Sequence, residues 1–588
     1  MPATRLASHN DSITWPTGAR WTDEGPPTRW PALLVATLVL VIAFSPSLLP
    51  RPWYMQAIAT GVGAGIGYLL TRLAQRLIRR VALLTGVGVV APRRTRLLAG
   101  WLIGLTVTGV AIWWWWANHL AHRETAKAVS MEPPTVGEDL LATGAGVVAT
   151  VVVVGVLLAL RWVWLRISRL LKRFIPKIVA RVLAAALIIG ALVWVTNDVL
   201  FRSTLESVAQ AGIDRDSRTP PGLSAPTSEL RSGSPEAAQE WKALGHNGMQ
   251  FTAAGPDAER IEEVTGRSAM DPIRAYAAIS DRSDSGESAE GVEDVVALAV
   301  AEMQRTGAFE RSYVHVVTTT GQGWADEFNV ESVEYLTGGD VATVAVQYSA
   351  LPSVAALVAD RARPVEAGTL LTEAVEAEIA DLPEEDRPRL LVSGLSLGSY
   401  GGHGAFTSAE DMLERVDGAV WIGTPSITPL WKELTANRMG GSPEIAPVVD
   451  DGNHIRFLTR PTELDRDYYG RSLGEWGTPR VAYLQYASDS LMWWNPDLLF
   501  SEPDWMREGV GHDVAQSLDW YPLITFAQIS VDTVTGDDTP HGHGHTYEDD
   551  LVPTWAAVLG GLTDDLPDPD VHGDIADTIR EYQPEDAD

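Results

Sequence analysis

Arg389-Leu390-Leu391-Val392-Ser393 runs into Gly394-Leu395-Ser396-Leu397-Gly398 and then into Ser399-Tyr400-Gly401-Gly402. A short apolar run, a tight turn and a small-residue stretch predict a strand, a bend and a helix start. Glycines two positions either side of Ser396 let a strained bend pass close to neighbouring backbone without a Cβ clash. The Ser396 hydroxyl would then stand at the C-terminal edge of a sheet, where the free N–H groups of a helix start favour a developing oxyanion. Ser396 is therefore the candidate nucleophile, with a structural turn serine as the plain alternative.

A serine hydroxyl is unreactive at neutral pH without a base, so an acid and a histidine are expected further along the chain. Asp489 follows the apolar run Val481–Tyr486, where a strand meets its loop, and is the candidate acid. The base comes from His541-Gly542-His543-Gly544-His545. His545 is the first choice, because Gly544-His545 stands shortly before an aromatic residue and a helical stretch, and His543 is a close second. Three alternating histidines also suit zinc, but no second cluster with ligand spacing accompanies them, and neither metal nor cofactor is expected. For the oxyanion, the Leu397 N–H is one candidate donor. Thr319 and Thr320, in the Gly- and Thr-rich loop after Tyr313–Thr318, are candidates for the other.

Outward from this centre, apolar runs at Ile273–Ile279, Tyr313–Thr318, Ala342–Gln347, Leu390–Ser393, Gly418–Ile422, Ile455–Leu458 and Val481–Tyr486 read as strands. They alternate with helical patterns over 291–306, 327–337, 365–380, 397–415 and 547–559. That alternation predicts a mostly parallel sheet covered on both faces. The stretch Trp520–Val534, between acid and histidine, reads equally as helix or strand. Residues 201–244 are rich in Ser, Pro and charge and read as a linker; 245–565 form the α/β domain and 566–588 an acidic tail.

The first third differs. Five stretches, 31–49, 55–71, 97–116, 139–160 and 178–196, are apolar enough to cross about 30 Å of hydrocarbon, making 31–200 a helical membrane region behind a tail over 1–30. Gly61, Gly63, Gly65 and Gly67 lie inside the second and suit close helix packing better than a phosphate loop. Trp113 to Trp116 suit an interfacial belt. Arg72, Arg76, Arg79, Arg80, Arg93, Arg94 and Arg96 fill one loop, and Arg161 to Arg181 flank another. Basic loops stay cytoplasmic, so the tail is expected inside and everything after about residue 197 outside.

Net charge is −31 at pH 7, with the basic residues concentrated in the first third. The acidic remainder excludes nucleic-acid binding, which needs a basic footprint. With no cysteine, covalent chemistry falls to Ser, Thr, Lys or a carboxylate.

Taken together, Phe44 to Arg51, Val317-Thr318-Thr319-Thr320-Gly321, Gly338-Gly339-Asp340, the segment around Ser396, Tyr483 to Asp489, Trp493-Trp494 with Pro496-Asp497-Leu498, and Gly542 to His545 resemble the bacterial membrane-anchored α/β-hydrolases. The resemblance implies an α/β-hydrolase fold and a multi-pass place in the bacterial cell membrane, and leaves the substrate open. From these residues a serine hydrolase is expected, cleaving an ester or related acyl bond of a lipid or envelope molecule. An acyltransferase using the same residues, and a non-catalytic scaffold or transport-associated protein, are the alternatives. Trp324, Trp421, Trp431, Trp493 and Trp494 are either an apolar substrate wall or core.

Overall fold

The computed structural model describes residues 30–85, 93–195, 202–279, 291–536 and 538–583. All but the last residue of the expected N-terminal tail lies outside them. The chain forms two compact units. The first takes in residues up to Pro46, Arg51–Arg123 and Pro134–Ala185; the second takes in Ser47–Pro50, Glu124–Pro133 and everything from Ala186.

Among the described residues the first unit draws on five helices: α1 (Trp30–Ala43), α2 (Trp53–Thr85), α3 (Arg93–Ala128) up to Arg123, α4 (Val136–Leu171) and α5 (Lys177–Trp194) up to Ala185. Four of them carry stretches long and apolar enough to span a membrane: Trp53–Ile78, Leu98–Ala128, Val136–Leu171 and Lys177–Trp194. The expected first span is corrected. α1 has 14 residues; at 1.5 Å per residue it reaches about 21 Å, short of the hydrocarbon. Its last turn tightens through Ser45 N–H to the Ile42 carbonyl, and Pro46 cannot continue the helix. The apolar residues beyond it, Leu48 and Leu49, belong to the core of the second unit instead.

The glycines of α2 face two neighbours at helical spacing. A Cβ on Gly61 would fall 2.3 Å from Ala149 Cβ and one on Gly65 2.6 Å from Val153 Cγ1, while Gly67 would meet Val39 Cγ2 at 2.8 Å. Only glycine permits such backbone approach, so the close-packing reading of these residues is met. α4 starts with a reciprocal cap: Thr135 Oγ1 accepts from Glu138 N–H and the Glu138 carboxylate accepts from Thr135 N–H at 2.8 Å.

In the second unit the expected strands are all found, as β1 (Ile273–Ala278), β2 (Tyr313–Thr318), β3 (Val341–Gln347), β4 (Arg389–Leu395), β5 (Gly418–Ile422), β6 (Ile455–Leu458) and β7 (Arg480–Leu484). They pair in parallel throughout, in the order β1-β3-β2-β4-β5-β7-β6. Nearly every strand residue is buried, as a sheet covered on both faces requires. Along β4 and β5 the side chains alternate between two cores. Leu390, Val392, Ala419 and Trp421 pack on the side of Val292–Thr306 and Ala362–Asp381. Leu391, Val420 and Ile422 pack on the side of Glu327–Leu336, Leu551–Leu559 and His572–Glu581.

One open reading is resolved and two expectations change. Between acid and histidine the chain forms a helix, Ile524–Asp532, not a strand, so the edge beyond β7 is taken by the earlier β6. Much of the expected linker is folded: Arg202–Asp216 is helical, and Arg231 pairs with Arg274 at the start of β1 while Ser232 and Ser234 are buried. The expected acidic tail carries the helix His572–Glu581, whose Ile575 and Ile579, one turn apart, seal the second core.

Candidate active site

At the end of β4 the backbone of Ser396 takes φ 54° and ψ −118°. A non-glycine residue at positive φ is held there at a cost, and the surroundings show what holds it. Ser396 N–H donates to the Ile422 carbonyl at 2.9 Å, and the Ser396 carbonyl accepts from Tyr400 N–H at 3.0 Å. Gly394 and Gly398 make the bend possible, since a Cβ on either would fall within 2.7 Å of neighbouring backbone. Leu397 opens the following helix, so its N–H has no intrahelical acceptor.

Asp489 is fully buried just past the end of β7 and caps the turn Ser490–Trp493. Oδ1 accepts from the N–H groups of Leu491 (2.9 Å) and Met492 (3.0 Å). Oδ2 accepts from the Tyr547 hydroxyl and from His545 Nδ1, both at 2.7 Å. Burial, and then the Asp489 charge, push the Tyr547 phenol well above its ordinary range, so it stays a donor. A carboxylate with four donors assigns the Nδ1 proton to His545 and leaves Nε2 the basic nitrogen.

The floor under this pair is Gly423, one residue past β5 at φ 51°. A Cβ there would fall 2.8 Å from His545 Cε1 and 3.1 Å from Asp489 Oδ2. Because Ser396 is bonded to the adjacent Ile422, the serine and the His545 ring come to the same end of β5. Ser396 and His545 are each 8 % exposed, so both are shielded from bulk water.

His543 goes elsewhere: its Nε2 lies 3.0 Å from Ser130 Oγ. The structure thus joins Asp489 to His545 and not to His543. His403 is packed, bonded to the Ser399 carbonyl and the Tyr483 hydroxyl, and burial pulls its pKa down to about 4. Among the described residues no group of three or more His, Asp or Glu is arranged to hold a metal ion.

Of the two nominated loop donors, Thr319 lies beside the bend: a Cβ on Gly398 would fall 2.1 Å from the Thr318 carbonyl oxygen and 3.1 Å from that of Thr319. Thr319 is fixed by its hydroxyl on the Val346 carbonyl at 2.7 Å. Thr320 is a correction. Its N–H closes a turn onto the Trp324 carbonyl at 3.0 Å and is already spent. Trp421, Trp431 and Trp493 are buried and pack in the main core, and Trp431 and Trp493 also line a cavity with Ser426 and Arg438.

Two positioning residues had escaped the sequence reading. The Ser488 hydroxyl donates to buried Asp513 and accepts from Gly544 N–H at 2.8 Å. One hydroxyl thereby ties the residue before Asp489 to the residue before His545. Nothing in local sequence marks Asp513; its role depends on a contact between segments 25 residues apart.

The loop holding Thr319 ends at Asp326, which caps the helix Glu327–Leu336. Glu327 accepts from Gln250 Nε2 at 3.0 Å and from Trp324 Nε1, and burial followed by the Asp326 charge raises its pKa to about 8. Below pH about 4 this carboxyl is protonated folded or unfolded and costs nothing; the penalty grows as pH rises and is complete above pH 8. Glu327→Gln is therefore expected to raise stability by on the order of 2 kcal/mol at pH 9 and by much less at pH 5. Thermal melts of both proteins across that range check it, and parallel curves would refute it.

A seven-strand parallel sheet with a serine on a strained bend after its central strand defines the α/β-hydrolase class of architecture. Family models agree: the alpha/beta-hydrolase family matches residues 273–566, half of the chain, and the alpha/beta-hydrolase family N-terminus matches 44–256. The chain belongs to the alpha/beta-hydrolase family. No curated protein and no solved structure matches it.

Proposed function

We propose that this protein is a membrane-anchored serine hydrolase that cleaves an ester or related acyl bond of a lipid or envelope molecule. The observation that carries the reading is the Asp489–His545 pair, bonded at 2.7 Å, brought to the end of β5 where the strained Ser396 bend is also fixed. In this reading His545 Nε2 takes the Ser396 proton as Oγ attacks the acyl carbon. Asp489, fixed by its other donors, stabilises the imidazolium and keeps the ring oriented. The N–H groups of Leu397 and Thr319 stabilise the oxyanion. Proton return to the leaving alcohol gives an acyl-enzyme, which water attacks with the same base. Purified wild-type protein should react with a fluorophosphonate, and the adduct should map to the peptide containing Ser396. Absence of labelling, beside a serine esterase labelled under the same conditions, would remove this reading.

The substrate class rests on a tether, which four helices long and apolar enough to cross a bilayer would supply. An extracytoplasmic placement is supported by the basic residues, since Arg72 to Arg96 and Arg161 to Arg181 crowd two of the connections and basic loops stay cytoplasmic. Ser224 is exposed and the chain has no cysteine, so Ser224→Cys gives a single reporter thiol. It should react with an impermeant maleimide in intact cells; protection there and reaction after lysis would reverse the orientation.

A further inference from the structure

The segment joining α3 to α4 begins with an unusual residue pair. Met131 N–H bonds the Ala126 carbonyl at 2.8 Å and Ser130 N–H bonds the Lys127 carbonyl at 3.2 Å. This bond pair ends a helix by placing the residue after its cap in the left-handed region, a place glycine fills at least cost. Here it is Ser130, at φ 57°. A side chain kept where none is wanted invites the question of what it does. Its hydroxyl is bonded to His543 Nε2 at 3.0 Å.

His543 opens the turn that carries His545. Thr546 N–H donates to the His543 carbonyl at 3.2 Å, Gly544 sits at φ 57°, and His545 is the third residue of the four. On its inner side this turn is held by Ser488, through Gly544 N–H. Ser130 holds the outer side. The same segment is anchored independently: Val129 is fully buried in the main core, and the Glu124 carboxylate accepts from the Ser517 hydroxyl at 3.1 Å, four residues past Asp513.

We propose that Ser130, in the connection between two membrane helices, is a positioning residue for His545, acting through its hydrogen bond to His543. The inference rests on the serine-hydrolase reading. It deepens that reading by making this connecting segment part of the apparatus that aims the base.

The test is Ser130→Gly in the full-length protein in detergent. Glycine suits the left-handed backbone better than serine, and residue 130 is exposed, so a purely structural role predicts an equal or higher melting temperature and an unchanged reaction rate. The expected result is an equal or higher melting temperature with fluorophosphonate labelling slowed about fivefold, the scale of one lost hydrogen bond. His543→Ala should slow labelling by a similar factor, and the double variant by no more than either alone, because both remove the same link. Labelling of Ser130→Gly at the wild-type rate, a fall in its melting temperature, or multiplying effects in the double variant would each overturn the proposal. A wild-type protein that does not label would instead sink the hydrolase reading itself, so the two failures are distinguishable.

Discussion

Ser396→Ala and His545→Ala are each expected to lower kcat on an activated ester by about 10⁴- to 10⁶-fold, and the double variant by little more than the worse of the two. The size follows from the geometry. Ser396 supplies the only hydroxyl on the bend, and His545 is the imidazole whose Nδ1 is engaged by the buried Asp489 carboxylate. Either loss disables the same proton-coupled attack, so their free energies do not add. Residual activity over water would come from the oxyanion donors and binding, which both variants keep. His543→Ala provides the contrast: it belongs to the same Gly-flanked run but lies 3.0 Å from Ser130 Oγ instead. Its loss should stay near fivefold, the cost of a single hydrogen bond. Ester hydrolysis by the three variants, normalised to folded protein, decides the assignment. A His545→Ala protein as active as wild type would remove the histidine from the mechanism.

Gly398→Ala should be a severely damaging single-methyl change at the site, lowering stability by about 3 kcal/mol or more and abolishing labelling with it. The new Cβ would stand 2.1 Å from the Thr318 carbonyl oxygen, far inside contact distance. That oxygen is main chain at the end of β2 and cannot swing aside like a flexible side chain. The helix start must move from β2 or the Thr319 loop must move from the bend, and either separates Leu397 from Thr319. Gly573→Ala is the control, because nothing lies within 4 Å of its Cβ position. Alanine there, inside the helix His572–Glu581, should be neutral or slightly stabilising. Equal melting temperatures for the two variants would show that the crowding at residue 398 is relieved cheaply.

The strands were legible because each is a brief apolar run bounded by turn residues, and a sheet buried on both faces leaves no other pattern. The serine bend was legible because its glycines are local. What failed was non-local. The stretch 31–49 scored as a span because hydropathy counts Leu48 and Leu49 as lipid-facing, whereas they pack in the sheet domain's core. His543 and His545 lie on either side of Gly544, and only the bond from Asp489 separates them. The Thr320 N–H is engaged by the Trp324 carbonyl, four residues on, through a turn that composition does not mark. Isoleucines 575 and 579 were hidden among acidic neighbours, although their one-turn spacing marks a helix face.

With helix Ile524–Asp532 standing where a strand was conceivable, the imidazole's loop does not grow out of the sheet. Its alignment is instead delegated to a handful of hydroxyls and carboxylates on separate segments. Natural variation at those anchor points can therefore detune or silence turnover while leaving solubility, expression and membrane insertion intact, and inactive homologues should differ there sooner than in the strands.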